Sequence, residues 1–258
     1  FLAAEQVWPA VKPTVLFSDV HLKTGEDGRS QRADFVRFLE SLGEQDCGRL
    51  ICAGDLFDFW FEYRHVCFSG CFDVLRALAA LRDAGVEMHL LCGNHDFWAG
   101  RFLRDETGFT IHPDQAEMDF GGKRALLFHG DGVNKADRAY RLYKRIARNP
   151  LVVGAFRLIH PDWAMLIAKG VSHGSRTYLG VADPENGPEA RALREHARGL
   201  LAAGAADVVI CGHAHAPALE THPTPTGDGL YINTGDWITQ RTHVVWQDGE
   251  FRMERTAK

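Results

Sequence analysis

One pattern recurs six times and constrains the chain more than any other. A short apolar, β-rich run ends in a polar cluster. Thr14-Val15-Leu16-Phe17-Ser18 runs into Asp19, and Arg49-Leu50-Ile51-Cys52-Ala53 into Gly54-Asp55. Met88-His89-Leu90-Leu91-Cys92 runs into Gly93-Asn94-His95-Asp96, and Ala125-Leu126-Leu127-Phe128 into His129-Gly130-Asp131. Asp207-Val208-Val209-Ile210-Cys211 runs into Gly212-His213-Ala214-His215, and Gly229-Leu230-Tyr231-Ile232-Asn233 into Thr234-Gly235-Asp236-Trp237. Continuous apolar runs of this length fit strands buried on both faces. Helical periodicity fills the gaps: Gln31 to Leu42, Phe72 to Ala84 before the stop at Gly85, and Glu189 to Ala203 after Pro188. Strands alternating with helices predict an α/β layered architecture. Closely spaced runs near 217–221, 229–233, 242–247 and 250–254 predict antiparallel strands and a mixed sheet. Ligands gather at the carboxyl ends of strands in open α/β sheets. If these strands share one sheet, the six clusters meet on one rim.

The clusters deliver Asp19, His21, Asp55, Asn94, His95, His129, His213 and His215. These are hard oxygen and imidazole donors, suited to manganese, iron, zinc or a similar divalent ion rather than to a structural thiolate zinc. They exceed the needs of one ion, and a carboxylate such as Asp55 can bridge two. A lone Asp-x-His is common without metal, but five clusters in order, mostly beside a Gly, are not readily explained that way. The glycines fit turns that need positive φ or close backbone approach.

Asp19-Val20-His21, Gly54-Asp55-x-x-Asp58, Gly93-Asn94-His95-Asp96, His129-Gly130-Asp131 and Gly212-His213-x-His215 resemble the motif set of the calcineurin-like metallophosphoesterase superfamily, over about residues 14 to 237. Within it the chain is most similar to UDP-2,3-diacylglucosamine diphosphatases of lipid A synthesis. Ser18 to Leu22, Gly54 to Trp60, Gly93 to Phe97, and His-Gly-Asp followed by Asp137 and Tyr140 carry that likeness. The resemblance implies a mixed β-sandwich flanked by helices and cleavage of the pyrophosphate to UMP and the lipid monophosphate. It also implies two divalent ions, manganese by preference. One ion would take Asp19, His21, Asp55 and His215; the other would take Asp55, Asn94, His129 and His213. Asp58 and Asp96 would stand behind the ligands, orienting imidazoles or loops, with a turn or helix-cap role the alternative for Asp58. Asp236 and Trp237 read as loop and packing residues. The best-known enzymes of the family carry Arg after the Asn, whereas this chain has His95. His95, beside Asn94, is expected to stabilise developing charge or protonate the leaving oxygen. The alternative is an imidazole held by a carboxylate.

The whole chain, 1–258, reads as one domain with a helical insertion at 132–180, too long for a loop. The insertion holds nine basic and two acidic residues, so it carries +7 while the remainder carries -12 of the chain's net -5. Arg138, Arg141, Arg145 and Arg148 share a helical spacing, and an apolar stretch from Leu151 to Ile167 follows. A helical cap with a solvated basic side and an interfacial element facing anionic lipid both fit. The resemblance implies the second, a lid that grips acyl chains. It places Asp137, Tyr140, Asn94, His95 and His213 against the substrate, with Ser172 and Arg176 near further contacts.

Composition excludes other classes. With 45% apolar and 24% charged residues the chain is an ordinary globular protein, and its acidic balance gives no field for nucleic acid. No apolar run is long enough to cross a bilayer. Phe1 to Pro9 shows neither initiator Met nor basic n-region, as expected of a trimmed chain. Six Cys, of which only Cys67 and Cys71 look like a pair, make no disulfide framework. The expected setting is cytoplasmic, peripheral on the inner face of the inner membrane, with a lipid-linked nucleotide as partner and no obligate protein partner. Another dinuclear phosphodiesterase, general or specific for cyclic nucleotides, is the alternative.

Overall fold

The computed structural model describes residues 12–167, 170 and 184–256. Two sheets are present. The first has β1 (Thr14–Phe17), β2 (Arg49–Cys52), β3 (Glu87–Leu91), β4 (Phe109–His112), β10 (Thr242–Gln247) and β11 (Glu250–Arg255), in the order β11-β10-β1-β2-β3-β4. The second has β5 (Gln115–Phe120), β6 (Lys123–Phe128), β7 (Val208–Cys211), β8 (Ala218–Thr224) and β9 (Gly227–Asn233), in the order β5-β6-β7-β9-β8. β1 to β4 run parallel, as do β6, β7 and β9, and antiparallel strands complete each sheet.

Pleating explains the apolar runs. Along β1 and β2, Val15, Phe17, Leu50 and Cys52 face α1 (Arg29–Glu44) and α2 (Phe72–Asp83), packing on Phe35, Leu39, Leu75 and Leu78. The alternate residues Leu16 and Ile51 face the other sheet, meeting Leu127, Ile210 and Ile232. The second sheet's outer face packs through Val209, Cys211 and Tyr231 on Leu193, Ala197 and Leu201 of α5 (Pro188–Ala202). The layers are therefore helix, sheet, sheet, helix. Six clusters on the rim of one sheet is corrected to two rims, three clusters from each sheet. Both faces of a central strand are buried whether a helix or a sheet covers them, so the runs alone do not reveal the split. Strand β5, with Ala116 and Phe120 buried between exposed polar residues, went unread, as did β4. β8 runs on through Pro223, which an edge strand tolerates.

After β6 come α3 (Arg138–Ala147) and α4 (Pro150–Phe156), and the chain is helical again over 161–167. Asp137 caps α3 by accepting from the Tyr140 N–H, and Asn149 caps α4 ahead of Pro150. The basic face is partly used within the protein: Arg148 pairs with Asp114, and Lys144 with Asp131 at 2.6 Å. Arg138, Arg141 and Arg145 stay exposed. Ser172 and Arg176 lie outside the described residues. All six cysteines are free, Cys67 exposed and Cys71 buried. Among the described residues no helix is long and apolar enough to cross a membrane.

Candidate metal centre

The loops leaving β1, β2 and β7 turn sharply, and the turning residues are themselves the donors. Asp19 (φ 53°), His21 (50°), Asp55 (55°), His213 (66°) and His215 (52°) all occupy the left-handed region. Residues with side chains seldom adopt it, and each such position costs on the order of 1 kcal/mol unless the surroundings enforce it. Here they do. The Asp19 N–H donates to Gly54 O, and the His21 and Leu22 N–H groups to Asp55 O and Leu56 O, all at 3.0 Å. The β1 and β2 loops thus stay laced together past their strands. Two glycines permit the final approach. Gly54 (φ +104°) lies against the His129 ring, and a Cβ on Gly93 would collide with the Asp55 carboxylate and amide.

The side chains converge. His215 Nε2 lies 3.4 Å from Asp19 Oδ1, and His21 Nε2 lies 3.7 Å from both Asp19 Oδ1 and Asp55 Oδ2. His129 Nε2 lies 3.3 Å from Asp55 Oδ2 and from Asn94 Oδ1. The His213 ring centroid is 5.1 Å from that of His129. All seven expected metal ligands therefore share one cluster. His95 joins it: one of its ring nitrogens groups with His21 and Asp55 within 4.8 Å, and its backbone N–H donates to Asp55 Oδ1 at 2.8 Å.

A second tier of contacts aims the rings. His129 Nδ1 meets Ala53 O at 2.9 Å, leaving Nε2 to face Asp55. His95 Nδ1 meets Asp58 O at 2.7 Å, and the Asp58 carboxylate is 3.9 Å away. Among the described residues Asp96 has no hydrogen bond to an imidazole. It accepts from Leu56 N and Gly93 N, both at 2.8 Å, and so ties the β2 loop to the β3 loop. Burial, then the nearby Asp55 charge, push its pKa up to about 7.

Three carboxylates have roles that the sequence did not assign to them, Asp236 having read as a loop residue. Asp236 lies 3.6 Å from His215 Nδ1 and is itself held by the N–H groups of Ile238, Thr239 and Gln240. Glu189, in the first turn of α5, lies 3.7 Å from His213 Nε2 and accepts from Asn134. Asp131 accepts from Tyr140 Oη at 2.7 Å and pairs with Lys144, fastening α3 to the metal-side loop. Asp236 and Asp131 sat in the strand-end clusters, where position was the available signal. Glu189 carried none beyond the start of a helix.

Charge balance shows what the cluster lacks. Burial opposes ionisation of Asp19 and Asp55, yet neighbouring imidazoles hold both pKa values well below the carboxylate range, His215 foremost for Asp19 and His129 for Asp55. Burial would depress His129, but Asp55, Asp19 and Asp131 push it up to about 10. A proton on His129 thus supplies positive charge to the metal-free cage. Burial lowers His21. Buried Asp19 Oδ1 and both His21 ring nitrogens have no hydrogen-bond partner among the described residues. Polar atoms left so are uncommon and call for a cation.

Buried carboxylates and imidazoles at the converging rims of two sheets are the donor set of a metal-dependent phosphoester hydrolase. The sequence model for calcineurin-like phosphoesterases matches residues 12–217, and the chain belongs to that family. A UDP-2,3-diacylglucosamine hydrolase from Porphyromonas gingivalis is 33% identical over 92% of this chain and 95% of its own length. One from Aeromonas salmonicida is 30% identical over 94% of this chain and 92% of its own. Among solved structures, a dimetal phosphatase from Danio rerio aligns over 95% of this chain and 96% of its own at TM-score 0.47 and 13% identity. The family implies two divalent metal ions, and the unpartnered donors fit them.

Two tests follow from this geometry. Because His129 holds its proton up to about pH 10 in the metal-free protein, metal uptake at pH 7 must expel it. Affinity then rises with pH, by up to about tenfold per unit for each proton released. Calorimetry in buffers of different ionisation enthalpy should find proton release; none would mean that His129 is already neutral in the metal-free protein or does not bind the metal. Gly93→Ala should displace Asp55 and cost about 10–100-fold in metal affinity, measured by retained metal after dialysis.

Proposed function

We propose that this protein hydrolyses the pyrophosphate bond of UDP-2,3-diacylglucosamine, giving UMP and 2,3-diacylglucosamine 1-phosphate for lipid A synthesis, with manganese as working ion. One observation carries the reading. An apolar cavity of about 330 Å³ opens beside Asn94 and His95 and is walled by Phe97, Trp98, Tyr143 and Phe156. That volume falls within the range of small-ligand sites. A charged diester core with an acyl-bearing arm fits a charged cage continuous with an apolar cavity. A cyclic nucleotide has no use for the second.

The residues divide the work. Asp19, His21, Asp55 and His215 would hold one ion, and Asp55, Asn94, His129 and His213 the other. When bound, the ions supply Lewis-acid charge neutralisation and lower the pKa of a water ligand. His95, fixed by Asp58 O and by its own backbone N–H to Asp55, stands where the leaving oxygen departs and donates a proton or hydrogen bond to it. Asn94 and His213 stand at the same edge to touch the phosphates. Tyr140 lines the cavity while its hydroxyl holds Asp131, and Asp137 supports it from the cap of α3. Helices α3 and α4 and the helical segment over 161–167 serve as the lid.

Membrane docking belongs to the same surface. Leu151, Leu158, Trp163 and Leu166 are 84%, 89%, 67% and 67% exposed, an apolar crest near the exposed Arg145 and Arg157. Apolar anchors beside cations suit the anionic inner face of the cytoplasmic membrane.

The decisive assay compares UDP-2,3-diacylglucosamine, bis-p-nitrophenyl phosphate and a cyclic nucleotide with manganese present. Efficient UMP release from the first alone is expected; turnover of the others alone would give the site to a general phosphodiesterase. His95→Ala should lose about 100-fold or more in turnover while retaining both metals. Loss of the metals instead would make His95 a ligand rather than a proton donor.

A further inference from the structure

A second cavity meets the metal cluster from the other flank. It has a volume of about 360 Å³ and is bounded by His21, Lys23, Asp27, Ser30, Trp237 and Arg241. In the strand order β10-β1-β2-β3, the loop after β1 and the loop leading into β10 form this pocket, and the loop after β3 forms the mouth of the apolar one. The two cavities therefore open on either side of Asp55, at the end of β2.

Their chemistry is opposed. The first is walled by aromatic and aliphatic side chains. The second offers two cations, carboxylates, a hydroxyl and the buried Trp237, whose indole N–H has no hydrogen-bond partner among the described residues. Its walls are preorganised. The Arg241 guanidinium pairs with Asp34 and lies 6.0 Å from the centre of the Trp237 ring. Arg241 itself holds a left-handed φ of 53°. Lys23, two residues past His21, reaches Asp27 at 3.1 Å. Rigid polar walls beside a metal cage suit a ligand with a phosphate at one end and hydrogen-bonding groups at the other.

A pyrophosphate diester centred on the metals extends two arms, and each arm needs its own cavity. On the reading that the substrate is a lipid-linked uridine nucleotide, we propose that this polar cavity receives the nucleoside monophosphate half. Lys23 binds the phosphate that departs with it, the turn from Asp27 to Ser30 accepts the ribose hydroxyls, and Trp237 and Arg241 form the wall against the base. The lipid half occupies the apolar cavity, so the two products leave in opposite directions.

The test uses manganese-loaded full-length protein and two variants, Lys23→Ala and Ser30→Tyr. The second fills the cavity from the exposed start of α1. Inhibition of turnover by UMP and by 2,3-diacylglucosamine 1-phosphate is measured for each. UMP should inhibit each variant at least about tenfold more weakly than the parent, with inhibition by the lipid product unchanged. Unshifted UMP inhibition, or equal weakening of both products, would overturn the pocket assignment while leaving the substrate reading intact. A parent protein that releases no UMP from the lipid nucleotide would overturn the substrate reading and the pocket together.

Discussion

Two carboxylates buried side by side dictate the rest of this molecule. Asp19 and Asp55 are 0% and 1% exposed and share the space with four imidazoles. Burying like charges is expensive unless positive charge lies within contact distance. In the metal-free protein His129 and His215 supply it, because the carboxylates beside them raise their pKa values against the cost of burial. The same donors, once deprotonated, face inward with unsatisfied lone pairs. The cage is thus built for cations, and its stability without them depends on pH.

Backbone geometry makes that crowding possible. Parallel strands from two sheets end at the same place, and five donors turn in the left-handed region directly after their strands. Strain at these positions is offset by loop-to-loop hydrogen bonds and by helices packed behind each sheet. Asp96, between the β2 and β3 loops, and Asp131, between the cage and α3, couple the metal site to its surroundings. Through Asp131, Tyr140 and Lys144, the helix that walls the apolar cavity is pinned two residues beyond His129.

Much of this was legible in the residues. Asp19, His21, Asp55, Asn94, His129, His213 and His215 each follow an apolar run, and a strand end is where a ligand belongs. The three long helices could be read from periodicity because each has one buried face. The division into two sheets could not, since a strand covered by a helix and one covered by a sheet show the same composition. Glu189 and Asp236 were obscure for a different reason: a carboxylate that steadies an imidazole needs only to arrive in space. Arg148 shows the converse, a residue in register with a basic face that instead turns to Asp114.

Anomalous diffraction from manganese-loaded crystals tests the central claim most directly. Two peaks are expected about 3.5–4 Å apart, both bonded to Asp55. One should also contact Asp19, His21 and His215, the other Asn94, His129 and His213. A single peak, or a pair that leaves Asp55 unligated, would contradict the account.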